Sequence, residues 1–472
     1  MANLPYSLAK WRQHVATDPL EGHDLSSLND SATAASKEPS FCTGTGLDIL
    51  SNYICPDIET ADREVVFVTC FWATMSESRV RLCKTLRTLS KKVVKKRAAA
   101  SPNTPTVENI KVYICLSSVS LLQKLRHTES TAGYVYDPTE WNEKLKLPTP
   151  EEIPGLDLTV KSIFIRPFSV MHPKFVISWY EGAFRLKGRS IVEKFHKFWT
   201  EVWNPEAQLP HGAAVGGIST FPATANVTLP PLKDPPAKSA GQLVKSFPNT
   251  PANRELQTLF LPSSHHQNPA FRPGIFRLPR SEPRTPLNAF TKFLFANAES
   301  EIYVITPNLT AKPVMHALVQ ALKRGVKVTI VTNMNLMVME QLATSGTTTA
   351  RCIKSLMNSH RRVLCAWAMK ETDTTDAAKP GKLTVREWKV ATSRRYNLGG
   401  GSAFVKSHLK LTVVDERVVL LGSGNMDRAS WYTSQEVGVA LYSAEVAKEL
   451  LHEVLMRDVG KYSRTIYESH EV

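Results

Sequence analysis

Residues 408–425 read HLKLTVVDERVVLLGSGN, and this stretch decides how the rest of the chain is read. His408 and Lys410 stand two positions apart, so on a β-strand both side chains point to one face. Asp415 follows Lys410 along the same apolar run, and a Gly-Ser-x-Asn turn then carries Ser423 and Asn425. An imidazole, an ammonium and two neutral hydrogen-bonding groups converging on one spot suit a tetrahedral phosphate. The ammonium neutralises non-bridging oxygens, and Ser and Asn supply directed hydrogen bonds. The imidazole can attack phosphorus or move a proton. An ordinary β-hairpin would leave polar residues at these spacings unexplained.

A second H-x-K occurs earlier, at His172-Pro173-Lys174 in SVMHPKFVISWY. Only two of the 13 histidines sit in such a pattern, and both open an apolar run. Other features recur in the same order around each. First comes an apolar strand, Val65 to Thr69 and again Ile302 to Thr306. A helical spacing follows, Val80 to Val94 and Val314 to Arg324, and then a second strand, Ile110 to Leu116 and Val326 to Thr332. After each H-x-K the chain reads Ser-Trp-Tyr, at Ser178 and at Ser430, and a helical pattern closes each copy near Val192 to Val202 and Val446 to Leu455. Such self-similarity implies two related halves.

The stretch 408–425 resembles the motif of the phospholipase D superfamily, H-x-K-x4-D followed by G-S-x-N. His408, Lys410, Asp415, Gly422, Ser423 and Asn425 match all its fixed positions. The resemblance implies an α/β fold of two sandwich lobes with mixed β-sheets, whose H-x-K strands meet in one active site at the interface. It implies phosphodiester hydrolysis, or transfer to an alcohol, through a phosphohistidine and without a metal or other cofactor. His172 is then the nucleophile, and His408 protonates the leaving alcohol and later activates water or the acceptor. Lys174 and Lys410 neutralise phosphoryl oxygens, and Ser423 and Asn425 bind the phosphate. The family places a carboxylate behind each catalytic histidine, after the G-S-x-N turn. Glu436 fits that place for His408, and Glu181, just past the first Ser-Trp-Tyr, is the candidate for His172. Asp415 counts with the catalytic motif, yet its place along the strand suits it to hold strand and loop together.

The two copies are unequal. His408 to Ser430 spans 22 residues, whereas His172 to Ser178 spans 6, so the first copy is 16 residues shorter. The shortfall covers the counterparts of Asp415, Ser423 and Asn425, and Trp179 stands where the motif expects Asp. Either the transcript retains a segment this sequence lacks, or the chain binds phosphate with impaired turnover.

At 472 residues the length alone would allow about three domains, but the duplication argues for one two-lobed unit. The expected boundaries are a mobile lead-in at 1–40, one lobe at 41–204, a Pro-rich linker at 205–255 and a second lobe at 256–472. A further loop insertion is expected at 371–380. Seven cysteines with no C-x-x-C spacing give neither a disulfide framework nor a zinc site, which favours a reducing compartment. No apolar run approaches the roughly 18 residues of a membrane span. A cytoplasmic protein with peripheral membrane contact is expected, with a mitochondrial address left open and no oligomer required.

Net charge is +15, from 58 basic and 43 acidic side chains, so the body attracts polyanions. Its densest cluster, Lys91 to Arg97, reads as a solvated helix end before it reads as a binding patch. Gly399 to Gly401 reads as a flexible turn, and the His265–His266 pair as part of a loop. A phospholipid substrate is favoured because the run from Gly422 to Trp431 resembles lipid-type members of the superfamily. A DNA or RNA phosphodiesterase and a non-catalytic phosphate-binding protein remain the alternatives.

Overall fold

Among the described residues, strands pair into one sheet of eleven, one of four and a two-stranded ribbon. The structure is a computed structural model. It describes residues 6–18, 20, 33–101, 106–118, 134–165, 169–170, 180–203, 243–246, 255–264, 281–371, 379–389 and 406–469. The first half supplies α1 (Leu8–Thr17), β1 (Thr33–Thr45), β2 (Glu64–Phe71), α2 (Glu77–Ala98), β3 (Ile110–Ser118), β4 (Leu156–Ser162), β5 (Tyr180–Lys187) and α3 (Arg189–Phe198). The second supplies β6 (Leu256–Ser264), α4 (Pro286–Asn297), β7 (Glu301–Ile305), α5 (Lys312–Lys323), β8 (Lys327–Thr332), α6 (Thr349–Glu371) and β9 (Leu383–Trp388). It closes with β10 (Leu411–Val414), β11 (Val418–Gly422), α7 (Arg428–Tyr432), β12 (Gln435–Tyr442), α8 (Ala444–Glu449), α9 (Met456–Tyr462) and β13 (Ser463–Glu468).

The smaller sheet is built on β2, β3 and β4 in parallel, with Tyr134–Val135 added antiparallel to β4. Strands buried on both faces read as continuous apolar runs, which is why VVFVT and its neighbours were legible. Ser76 caps α2 by accepting from Arg79 N at 3.2 Å. Leu82, Leu86, Leu89 and Val93, spaced three or four apart, bury that helix against Ile114 and Leu158. The basic cluster ends the same helix. Lys92 and Lys96 reach Asp62 at 3.3 and 2.8 Å, and Arg97 donates to Asn109 at 2.7 Å.

The large sheet runs β13-β9-β8-β7-β10-β11-β12-β6-β1-β5, with Leu243–Ser246 also paired to β1. Its β7-β8-β9 core is parallel, and β10 to β12 form an antiparallel meander beside β7. One face packs on α1, α4, α5 and α6 through Trp11, Phe290, Leu318 and Leu356. The other packs on the α8–α9 segment through Leu450, Leu455 and Val459. Among the described residues the smaller sheet has no counterpart of the β10–β11 hairpin, the stretch that the shortened first copy lacks.

Three segment expectations meet the structure differently. The first 40 residues are not only a lead-in, because α1 docks Trp11 edge-on against Phe290 at 5.1 Å and β1 begins at Thr33. The boundary at 41 falls inside β1, which joins β5 of the first half to β6 of the second. Within the 205–255 linker, residues 243–246 pair with β1, while 205–242 and 247–254 lie outside the described residues, as do 372–378, Gly399–Gly401 and His265–His266. All seven cysteines are free, and burial pushes the Cys42 and Cys115 thiols up to about 12, as suits inert packing groups. Among the described residues no helix is long and apolar enough to cross a membrane.

Candidate active site

His408 enters the sheet under tight backbone control. Just past β8, Asn333 donates from Nδ2 to Ser407 O at 2.7 Å and accepts from Ser407 N at 3.3 Å. This two-point clamp fixes the residue before His408. Regular pairing begins at Leu411 opposite Leu421, so His408 and Lys410 precede the strand rather than lie within it. They still stand side by side, with Lys410 Nζ 2.6 Å from His408 O and 2.6 and 3.0 Å from its ring Nδ1 and Nε2.

The Glu181 carboxylate lies 3.1 Å from His408 Nδ1, on an imidazole that is 1 % exposed. Glu181 is the second residue of β5 and pairs with Gly44 of β1. Nδ1 cannot donate to a carboxylate and accept from an ammonium at once. Both groups crowd Nδ1, the ammonium at 2.6 Å and the carboxylate at 3.1 Å, and Nε2 stands 3.0 Å from the ammonium. The next residue makes this approach possible. A Cβ on Gly182 would stand 2.7 Å from Leu409 Cδ1 and 2.8 Å from Phe41 Cζ, so only glycine lets β5 lie this close.

Behind Lys410 the Gly-Ser-x-Asn turn folds onto α7. Asp427 caps α7 through Ser430 N at 2.9 Å, and its other oxygen accepts from Asn425 Nδ2 at 2.9 Å. Asn425 N donates to Ser430 Oγ at 3.0 Å, which leaves Asn425 Oδ1 buried without a partner. Lys410 and Asn425 line one cavity of about 30 Å³ with Gly422, Gly424 and Ser430. Leu287, Ile305, Leu420 and Trp431 complete the wall, so a cation and an amide are set into a small, largely apolar recess.

Residues 293–456, which span this constellation, match a family model described as "Cardiolipin synthase, PLD-like domain". That segment is a phospholipase D-like domain, of the kind found across the phospholipase D superfamily. Its members share phosphodiester hydrolase and transferase chemistry. The phosphatidylserine synthase of Haemophilus influenzae Rd KW20 has a similar fold, at 14% identity and a TM-score of 0.51, over 93% of this chain and 91% of that one. Nuc, a phospholipase D family member from Salmonella typhimurium, aligns over 39% of this chain and 92% of its own, at 20% identity and a TM-score of 0.26. A search of curated proteins finds no match.

The structure places two of the expected carboxylates differently in this phospholipase D-like site. Glu181, expected behind His172, faces His408 instead. Glu436, expected behind His408, is buried in β12 and accepts from Ser423 Oγ at 2.6 Å. The family resemblance favoured Glu436, but strand register brings Glu181 to His408. His172 and Lys174 lie outside the described residues.

Asp415 does not face the recess. Its carboxylate accepts from Glu299 N at 2.9 Å, Ser300 N at 2.7 Å, Ser300 Oγ at 2.8 Å and Glu301 N at 2.8 Å. Burial raises its carboxyl, but these backbone hydrogen bonds outweigh that and hold it below the usual range. Asp415 and Glu416 both have positive φ, 50° and 51°, in the turn between β10 and β11. Asp415 is therefore the lock of that hairpin onto the 299–301 turn, a correction to its place among the catalytic residues. The phospholipase D-like lobe also holds groups that sequence reasoning passed over. Asn333 carried no motif signal. Asp427 did, as an acid three residues ahead of Ser430, the spacing of a helix cap.

Proposed function

We propose that the chain cleaves phosphodiesters through a covalent phosphohistidine, with a phospholipid as substrate. The observation that carries this reading is a buried His408 imidazole with the Glu181 carboxylate 3.1 Å from Nδ1 and the Lys410 ammonium within 3.0 Å of both ring nitrogens. In this reading His172 attacks phosphorus, and a P–N bond forms as the P–O bond to the leaving alcohol breaks. His408, protonated on both nitrogens and held by Glu181, gives its Nε2 proton to the departing oxygen. Neutral His408 then takes a proton from water or an acceptor alcohol, whose oxygen displaces the nitrogen from phosphorus. Water yields hydrolysis, and an alcohol yields transfer. Lys410 exchanges its resting contact with the ring for a phosphoryl oxygen, and Asn425 and Ser423 steady the group.

The lipid assignment is supported by the cardiolipin synthase description of the matching family model and by the run from Gly422 to Trp431. A net charge of +15 suits an acidic lipid surface and suits nucleic acid equally, which keeps the DNA or RNA reading as second. Incubating the purified full chain with phosphatidyl lipids and, separately, with single-stranded DNA separates them. Release or exchange of the lipid head group with intact DNA is the expected result. Cleavage of DNA alone, falling steeply with salt, would transfer the assignment to nucleic acid. Bound phosphate with no turnover of either would leave a phosphate-binding protein whose first copy is too short to react.

A further inference from the structure

A cavity of about 330 Å³ lies between the large sheet and the α8–α9 segment. It shares no lining residue with the recess around Lys410. Its floor is a row of direct cross-strand neighbours, Tyr303 of β7, Thr329 of β8 and Thr384 of β9. Two groups in this wall are unsatisfied. Tyr303 is 3 % exposed, and its buried hydroxyl has no hydrogen-bond partner. The Glu301 carboxylate, two residues earlier on the same face, takes no hydrogen bond or close ion pair among the described residues, though the charges of Lys327 across the strand and of His452 act on it. Burial holds its carboxyl above the usual range. Arg386 adds a guanidinium that donates to Ser463 Oγ at 2.8 Å, Thr465 Oγ1 at 2.9 Å and Ser463 O at 3.2 Å. Two of its five N–H groups are left over.

A buried hydroxyl and a half-buried carboxylate that both lack a hydrogen-bond partner are unfavourable, and one guest can answer both. An ammonium would neutralise Glu301, and an oxyanion would accept from Tyr303 and Arg386. Leu451 and Val459 supply apolar wall for the methylenes between these groups. We propose that this cavity binds a small zwitterion, an ammonium and a carboxylate joined by a short aliphatic chain. Such a guest fits better than an amine, which leaves the guanidinium unanswered, or an acid, which meets the Glu301 carboxylate.

Isothermal titration of the full chain with glycine, β-alanine and γ-aminobutyrate tests this, with propylamine and butyrate as the two half-ligands. At least one amino acid should bind saturably, with each half-ligand about tenfold weaker or worse, as expected when one charge-assisted contact is lost. Glu301→Gln keeps the shape and should weaken binding about tenfold. A Cβ on Gly460 meets nothing within 4 Å, so Gly460→Leu should fill the cavity and abolish binding. Should Gly460→Leu lower the melting temperature, the Glu301→Gln result decides alone. No binding by any of the three amino acids overturns the proposal. So does equal binding of a half-ligand, or undiminished binding in Glu301→Gln.

Discussion

The Glu181 carboxylate meets the His408 imidazole at 3.1 Å although the two residues come from opposite halves of the chain. The contact depends on β5 pairing with β1 at the edge of the large sheet rather than joining the smaller sheet of its own half. In the proposed reaction, a carboxylate in this place would fix the imidazole tautomer and stabilise the cation that proton transfer creates.

Glu181→Gln should therefore cut turnover by about 10²–10⁴-fold, the usual worth of general acid–base help, with little change in melting temperature. The comparison to make is kcat against thermal stability in the same preparation. A large loss of stability with near-normal kcat would reduce Glu181 to a packing role.

Gly182→Ala should destabilise by about 1–3 kcal/mol through overpacking, because its Cβ would meet Leu409 and Phe41. Activity should fall further than stability does, since the displaced strand carries Glu181 with it. Leu409→Ala in the same chain removes one of the two clashing groups and should restore part of the lost turnover. Failure of the double variant to recover any activity would place the damage elsewhere.

Asp415→Asn should leave the recess intact and lower stability by about 1.5–3 kcal/mol, the worth of hydrogen bonds to a charged group. The folded pKa of Asp415 is depressed, so its contribution is full above the unfolded value of about 3.9 and lost as pH falls through the folded pKa. Urea melts of both proteins at pH 7 and in progressively stronger acid should show the difference closing below pH about 4.

His408→Ala should abolish phosphodiester turnover, and Lys410→Ala should remove about 10²–10³-fold of it, as for a directed contact to a developing charge. Turnover should survive a chelator. Loss of activity in EDTA, restored by zinc or magnesium, would point to another mechanism.

The parallel cores were legible because buried parallel strands are unbroken apolar runs, as IYVIT shows. The β1–β5 pairing was not legible. The sequence of β1, TAASKEPSFCTGT, is polar and carries Pro39, at which its register with β5 shifts between Lys37 and Ser40. The nearness of His408 to Lys410 and the fold of the Gly-Ser-x-Asn turn could be read from spacing, because those contacts lie among near neighbours in the chain. The carboxylate behind His408 could not, since its position follows from long-range strand register. Asp415 is intermediate, a motif position whose holding role the strand itself suggested.

That β5 carries its carboxylate across to the other half gives the chain a built-in test of its own completeness. Severing the backbone between residues 204 and 242 would yield two pieces, neither holding a finished histidine site. Mixing them should bring turnover back only as fast as β1 and β5 find the edge of the large sheet. Reaction rate would then serve as a clock for the docking of one half on the other, read without any label.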